Sequence, residues 1–151
     1  MFKGKGRVER KAMVGIRRGG WMARSLIVKV DRKLLETVFE SARRLHPRET
    51  ILLLRGKKTK DAVKVSELVV PPLASYGRGF AGIQVHMLPM DFSIVGTVHS
   101  HPSGSLMPSK ADLNHFFGML LMIVAFPFID EGNVGVYSSS GEKLLLHVTE
   151  D

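Results

Sequence analysis

The chain has 151 residues, 44% of them hydrophobic, and a formal net charge of +8; this is enough for one globular domain of ordinary composition. It contains no cysteine, which excludes disulfide frameworks and thiolate metal sites and leaves His, Asp, Glu and water as metal ligands. No apolar run approaches the ~18 residues of a membrane-spanning helix, and the basic N-terminus lacks the apolar core of a secretory signal, so a cytoplasmic protein with no membrane partner is expected.

Residues 1–24 hold eight basic side chains against Glu9 alone, so the chain's positive charge belongs to this segment. It is also rich in glycine and has no periodicity, the composition of a disordered tail preceding a domain over residues 25–151. Three readings stand side by side. The tail is an arm for nucleic acid or an acidic partner, or a solvated extension without a role, or the product of a start upstream of Met22.

The domain opens with a strand over Leu26 to Val30. Asp31 is a candidate N-cap, and Leu34, Leu35, Val38, Phe39, Ala42 and Leu45 follow at helical spacing. Pro47 ends that helix, because its ring disfavours helical geometry at the preceding residue. Thr50 to Leu54 reads as a buried strand, Gly56 to Asp61 as a basic turn, and Ala62 to Val70 as a strand halted by Pro71 and Pro72. Leu73 to Gly82 reads as irregular. Ile83, Val85 and Met87 then alternate with Gln84, His86 and Leu88, the pattern of a half-buried strand.

Ser93 to His99 is the next strand, followed by a loop with Pro102, Gly104 and Pro108 and a helix opening at Ser109. Met119 to Phe126, Gly135 to Tyr137 and Lys143 to Val148 complete the strands, the last two read as a hairpin around Ser138 to Gly141. The total is about seven or eight strands and two helices, an α/β or α+β arrangement on one sheet.

His99 and His101 stand two apart on a strand and so share a face, with Pro102 ending the strand just beyond them. Ser109 has the character of a helix N-cap, and Asp112 falls in the first turn, where free backbone donors and the helix dipole already favour a carboxylate without any metal. The alternative is that this turn presents Asp112 to the histidines. Two imidazoles and one carboxylate leave a fourth tetrahedral position open for water, the layout of a catalytic zinc site.

The run His99-Ser100-His101, seven residues, then Ser109 to Asp112, resembles the JAMM motif of the MPN+ metallopeptidases. Gly96 to Pro102 and His46-Pro47-Arg48-Glu49 match further runs typical of that family, and the resemblance covers roughly residues 25–150, closest to its short archaeal members. It implies an MPN/JAMM-like, cytidine-deaminase-like fold, with a mixed, mostly antiparallel sheet flanked by two helices. It also implies one Zn2+ per chain on His99, His101 and Asp112, with Glu49 as general acid/base and Ser109 as oxyanion donor.

The implied activity is cleavage after the C-terminal Gly-Gly of a ubiquitin-like small modifier, or of its conjugates, with the tail laid along Ile83, Val85 and Met87. Processing of a sulfur-carrier protein with the same tail, and a non-catalytic binding module, are the alternatives. Homo-oligomer formation is left open. His86, His115 and His147 are each alone in their segments and are not read as ligands.

Overall fold

The computed structural model describes residues 26–71, 75–77, 80–82, 91–114 and 116–150. The tail over residues 1–24, the Ile83–Val85–Met87 strand, His86 and His115 lie outside the described residues.

Strand β1 (Ile27–Asp31) runs directly into helix α1 (Arg32–Leu45). The junction is set by Asp31, whose carboxylate accepts the Leu34 N–H at 2.7 Å and satisfies a donor that the first helical turn leaves free. Leu34, Leu35, Val38, Phe39 and Ala42 form the buried stripe read from the sequence. Each of the Leu, Val and Phe side chains contributes on the order of 1.5–3 kcal/mol when fully buried. Strands β2 (Ile51–Lys58), β3 (Ala62–Val69), β4 (Ser75–Gly77), β5 (Phe80–Gly82) and β6 (Ile94–His101) follow, then helix α2 (Lys110–Asn114) and strands β7 (Leu120–Ala125), β8 (Val134–Ser138) and β9 (Leu145–Thr149).

Among the described residues seven strands make one sheet in the order β8-β7-β6-β2-β3-β1-β9, and β4 pairs with β5 in a second. The sheet is mixed, as expected, but evenly so: β1–β3, β1–β9 and β6–β7 are parallel, while β2–β3, β2–β6 and β7–β8 are antiparallel. One face carries Leu52, Leu54, Val98, Met122 and Val124 and is covered by α1. The other carries Ile51 and Leu53 in one cluster and Leu121, Ile123 and Tyr137 in another.

Three sequence expectations need correction. Residues 56–58 are strand, not turn: β2 continues to Lys58 through a bulge at Arg55/Gly56. A Cβ on Gly56 would stand 2.2 Å from the Lys64 carbonyl oxygen, so only glycine lets the strands stay paired there. The stretch read as irregular contains the small β4–β5 pair. The terminal hairpin is only a corner. Tyr137 bridges Lys143 and the Leu144 N–H donates to the Val136 carbonyl at 2.7 Å, but β9 then leaves to pair with β1 at the opposite edge. There Leu146 and Val148 pack against the helix-covered core. The sheet therefore curls far enough for its two edges to meet at one end.

The parallel β6–β7 contact depends on two glycines. A Cβ on Gly96 would lie 2.0 Å from the Leu120 carbonyl oxygen, and Gly118 has φ +83° with the Val95 carbonyl 2.7 Å from its would-be Cβ. Between them the Met119 N–H reaches the Val95 carbonyl at 2.7 Å and starts β7 in register. Gly96→Ala is expected to lower stability by about 3 kcal/mol, since a methyl in a closed backbone contact forces the strands apart. Denaturant unfolding checks this; an unchanged midpoint would mean that β7 can step aside without loss.

Candidate metal centre

Strand alternation decides what faces what. In β6, Val98 belongs to the cluster under α1, so His99 and His101 point to the opposite face. Ile51 pairs with His99 in the antiparallel β2–β6 ladder. The pairing runs one step further, with the Ser100 N–H donating to the Thr50 carbonyl at 3.0 Å. Counting on, Glu49 comes opposite His101 and on the same face. Glu49 is half-buried, and its charge helps to favour the protonated form of His101.

Asp112 arrives from the long β6–β7 connection. The Ser109 N–H donates to Asp112 Oδ2 at 2.7 Å and the Asp112 N–H donates to Ser109 Oγ at 3.0 Å, a reciprocal pair that starts α2. Ser109 Oγ spends a lone pair on this bond and keeps its own proton to donate. The turn holds Asp112 against both histidines: Oδ1 lies 3.3 Å from His99 Nδ1 and Oδ2 lies 3.2 Å from His101 Nε2. All three side chains are nearly buried.

His101 Nδ1 lies 2.9 Å from the Ser105 carbonyl oxygen. A carbonyl only accepts, so Nδ1 carries the proton and Nε2 is the nitrogen turned to the carboxylate. Burial disfavours charge on His101, yet the bonds to Asp112 and to the Ser105 carbonyl outweigh it, and its pKa stands above the ordinary histidine value. Burial likewise opposes charge on Asp112, but hydrogen bonds from His101, His99 and Ser109 hold its carboxyl well below the usual carboxylate range.

An ionised carboxylate and an imidazole lone pair facing each other need a cation between them. A proton serves, and so does a metal ion. Zinc held tetrahedrally at about 2.0–2.1 Å places neighbouring donor atoms roughly 3.3–3.4 Å apart, close to the spacings of Asp112 from both rings. The donor set of two imidazoles and a carboxylate, without sulfur, suits zinc. Among the described residues no three such side chains are already spread around a metal-sized point; here the carboxylate bridges the rings directly, one oxygen to each.

Sequence reading had brought His99, His101, Asp112, Ser109 and Glu49 forward, and the first three meet within hydrogen-bonding range. Ser100 had no assigned role. Its side chain projects to the rear face, where Oγ accepts the Thr50 N–H at 2.7 Å, while its own N–H bonds the Thr50 carbonyl. Ser100 is 2% exposed. It ties the residue after Glu49 to the residue between the histidines. Alternation alone could have signalled it: a serine between two site residues must point into the helix-covered face, where an unpaired hydroxyl is costly.

A family model for prokaryotic homologues of the JAB domain matches residues 31–139. A probable metalloprotease of Haloferax volcanii is 31% identical over 109 residues, which is 68% of this chain and 68% of that protein. The crystal structure of a JAB1/MPN domain protein from Archaeoglobus fulgidus superposes with a TM-score of 0.60 at 39% identity, covering 81% of this chain and 99% of that one. A structure described as JAMM, a metalloprotease-like zinc site in the proteasome and signalosome, superposes with a TM-score of 0.58 at 36% identity, covering 82% and 99%.

Ser100→Ala leaves the buried Thr50 N–H without an acceptor and is expected to cost about 1–3 kcal/mol of stability. Ser100→Thr, which keeps the acceptor, is expected to cost less. Parallel urea titrations of the two variants check this ordering.

Proposed function

The chain belongs to the prokaryotic homologues of the JAB domain, a JAMM metalloprotease by family, and we propose that it is a zinc-dependent isopeptidase acting on a ubiquitin-like small modifier protein and its conjugates. The observation that carries this reading is the pair of Asp112 contacts to His99 and His101, 3.3 and 3.2 Å, on the face and at the strand mouth where Glu49 stands. His99, His101 and Asp112 would hold the ion. Bound there, zinc supplies a water whose pKa falls toward about 7 and a Lewis acid for the amide carbonyl.

The chain's own residues do the rest. Glu49 is not a ligand; it accepts the proton of the attacking water and returns it to the departing lysine amine. Ser109 donates its free hydroxyl proton to the oxyanion of the tetrahedral intermediate, a kind of contact whose loss costs about 10²–10³ in rate. The modifier's extended Gly-Gly tail would add to an exposed strand edge beside the site, a recognition mode built from main-chain hydrogen bonds. Ile83, Val85 and Met87, which lie outside the described residues, are proposed for that contact. The same chemistry serves a linear precursor, including a sulfur-carrier protein, because the acyl side of the bond is identical. Among the described residues no helix is long and apolar enough to cross a membrane.

Cleavage of a modifier–lysine conjugate by the wild type and by Glu49→Gln tests the reading. The variant is expected to keep one zinc per chain and lose about 10²–10⁴-fold in turnover. A chelator is expected to silence the wild type while leaving it folded, and re-addition of zinc to restore it. Full turnover by Glu49→Gln would overturn the mechanism, and unfolding on chelation would recast the site as structural.

A further inference from the structure

Tyr137 lies in β8, one of the two sheet-edge strands, yet it is 5% exposed and its ring packs with Leu121, Ile123, Leu106 and Phe116 on the face that carries the histidines. The ring leans back along its own strand. A Cβ on Gly135 would stand 2.8 Å from the tyrosine oxygen and 3.0 Å from Cε2, so the glycine two residues earlier leaves the lane the ring occupies. Val134 pairs with Val124 near the C-terminal end of β7, and His101 pairs with Ala125 beside it. The lean therefore carries the hydroxyl toward the mouth of the site, where it donates to the Leu106 carbonyl.

Leu106 is the residue after Ser105, whose carbonyl accepts from His101 Nδ1. We infer that Tyr137 is a positioning residue of the proposed metal centre: with Gly135 making room, its hydroxyl pins the connection at Leu106 and keeps the Ser105 carbonyl on His101, so that Nε2 stays aimed at Asp112. The inference rests on the zinc reading for its consequence, but the positioning itself is a property of the metal-free chain. The physical case is direct. Residues 102–109 contain no helix or strand and bury little, so few forces hold them. The His101 ring has two orientations that differ only in which atoms face the carbonyl and the carboxylate. A single buried phenol bonded to the neighbouring carbonyl selects one of them, and outer partners of metal-binding histidines typically matter 10–100-fold in affinity.

Tyr137→Phe keeps the ring and its packing and removes only the hydroxyl. The test uses the whole chain with histidines labelled by nitrogen-15. In metal-free wild type, His101 is expected to show a slowly exchanging Nδ1–H; in Tyr137→Phe that proton is expected to exchange freely. Zinc affinity, measured by competition with a chelator, is expected to fall about 10–100-fold, with the thermal midpoint of the metal-free variant little changed. Gly135→Ala, which drives the ring from its lane, is expected to act in the same direction. A Tyr137→Phe protein with the wild-type His101 signal and wild-type zinc affinity would overturn the inference. Loss of the His101 signal in the variant, beside a wild type that binds no zinc, would uphold the positioning role and overturn the zinc reading.

Discussion

A carboxylate that touches two imidazole nitrogens in a nearly dry setting is stable only while positive charge is shared among the three groups. Asp112, His99 and His101 are in that position. At about 3 Å and in surroundings of low polarity, the attraction between such groups far exceeds its value in water. Removing the shared charge would leave an ionised carboxylate among lone pairs. The contact therefore demands a cation, and the remainder of the site can be understood as the means of bringing these three side chains to one point. Two come from adjacent outward positions of one strand. The third comes from the first turn of a helix that could hardly stand alone, since α2 has five residues and buries none of them.

The sheet separates chemistry from support. On the site face lie the histidines, Glu49 and a modest apolar floor; on the rear face lies the large core beneath α1. Ser100 is a polar intrusion into the rear beside the buried Thr50, and its bond to the Thr50 N–H holds the β2–β6 ladder at its last rung. This explains why Glu49, which belongs to no regular element, has a defined place. Its backbone is fixed by the pairing of its neighbour, and its side chain needs only to reach across one strand spacing of about 4.8 Å.

Much of this was legible in the sequence, and what was not has a physical reason. The histidines announce a shared face because strand alternation is local, and Ser109 and Asp112 announce a cap because capping is local. Helix α1 was read nearly to its ends for the same cause. Glu49 was found only through the resemblance: a lone glutamate before a strand acquires meaning when β2 pairs with β6, some 50 residues away, in one register and no other. Gly56 to Lys58 reads as a turn because polar residues mask a strand whose partner alone makes it one. The destination of β9 depends on how far a twisted sheet curls, which no window of sequence records. The tyrosine hydroxyl meets a carbonyl 31 residues earlier, and a buried phenol in a strand looks like any other core aromatic.

The proposed ligands thus rest on supports of unequal strength. His99 and His101 stand in β6, flanked on both sides by paired strands, whereas Asp112 hangs on a connection that must travel from the end of β6 back to the start of β7. That connection is held at its far end by Gly118 and the Met119–Val95 bond, at its near end by the Gly104 N–H on the His101 carbonyl, and in the middle by Tyr137. None of these anchors touches Asp112 itself. A cation shared by Asp112 and the histidines would tie the Asp112 turn itself to the sheet. An ion that binds only the folded state stabilises that state as a whole, and here it would do so through the contact between the connection and the sheet. The metal would complete the least regular part of the fold, and the part that the proposed chemistry needs to be in place.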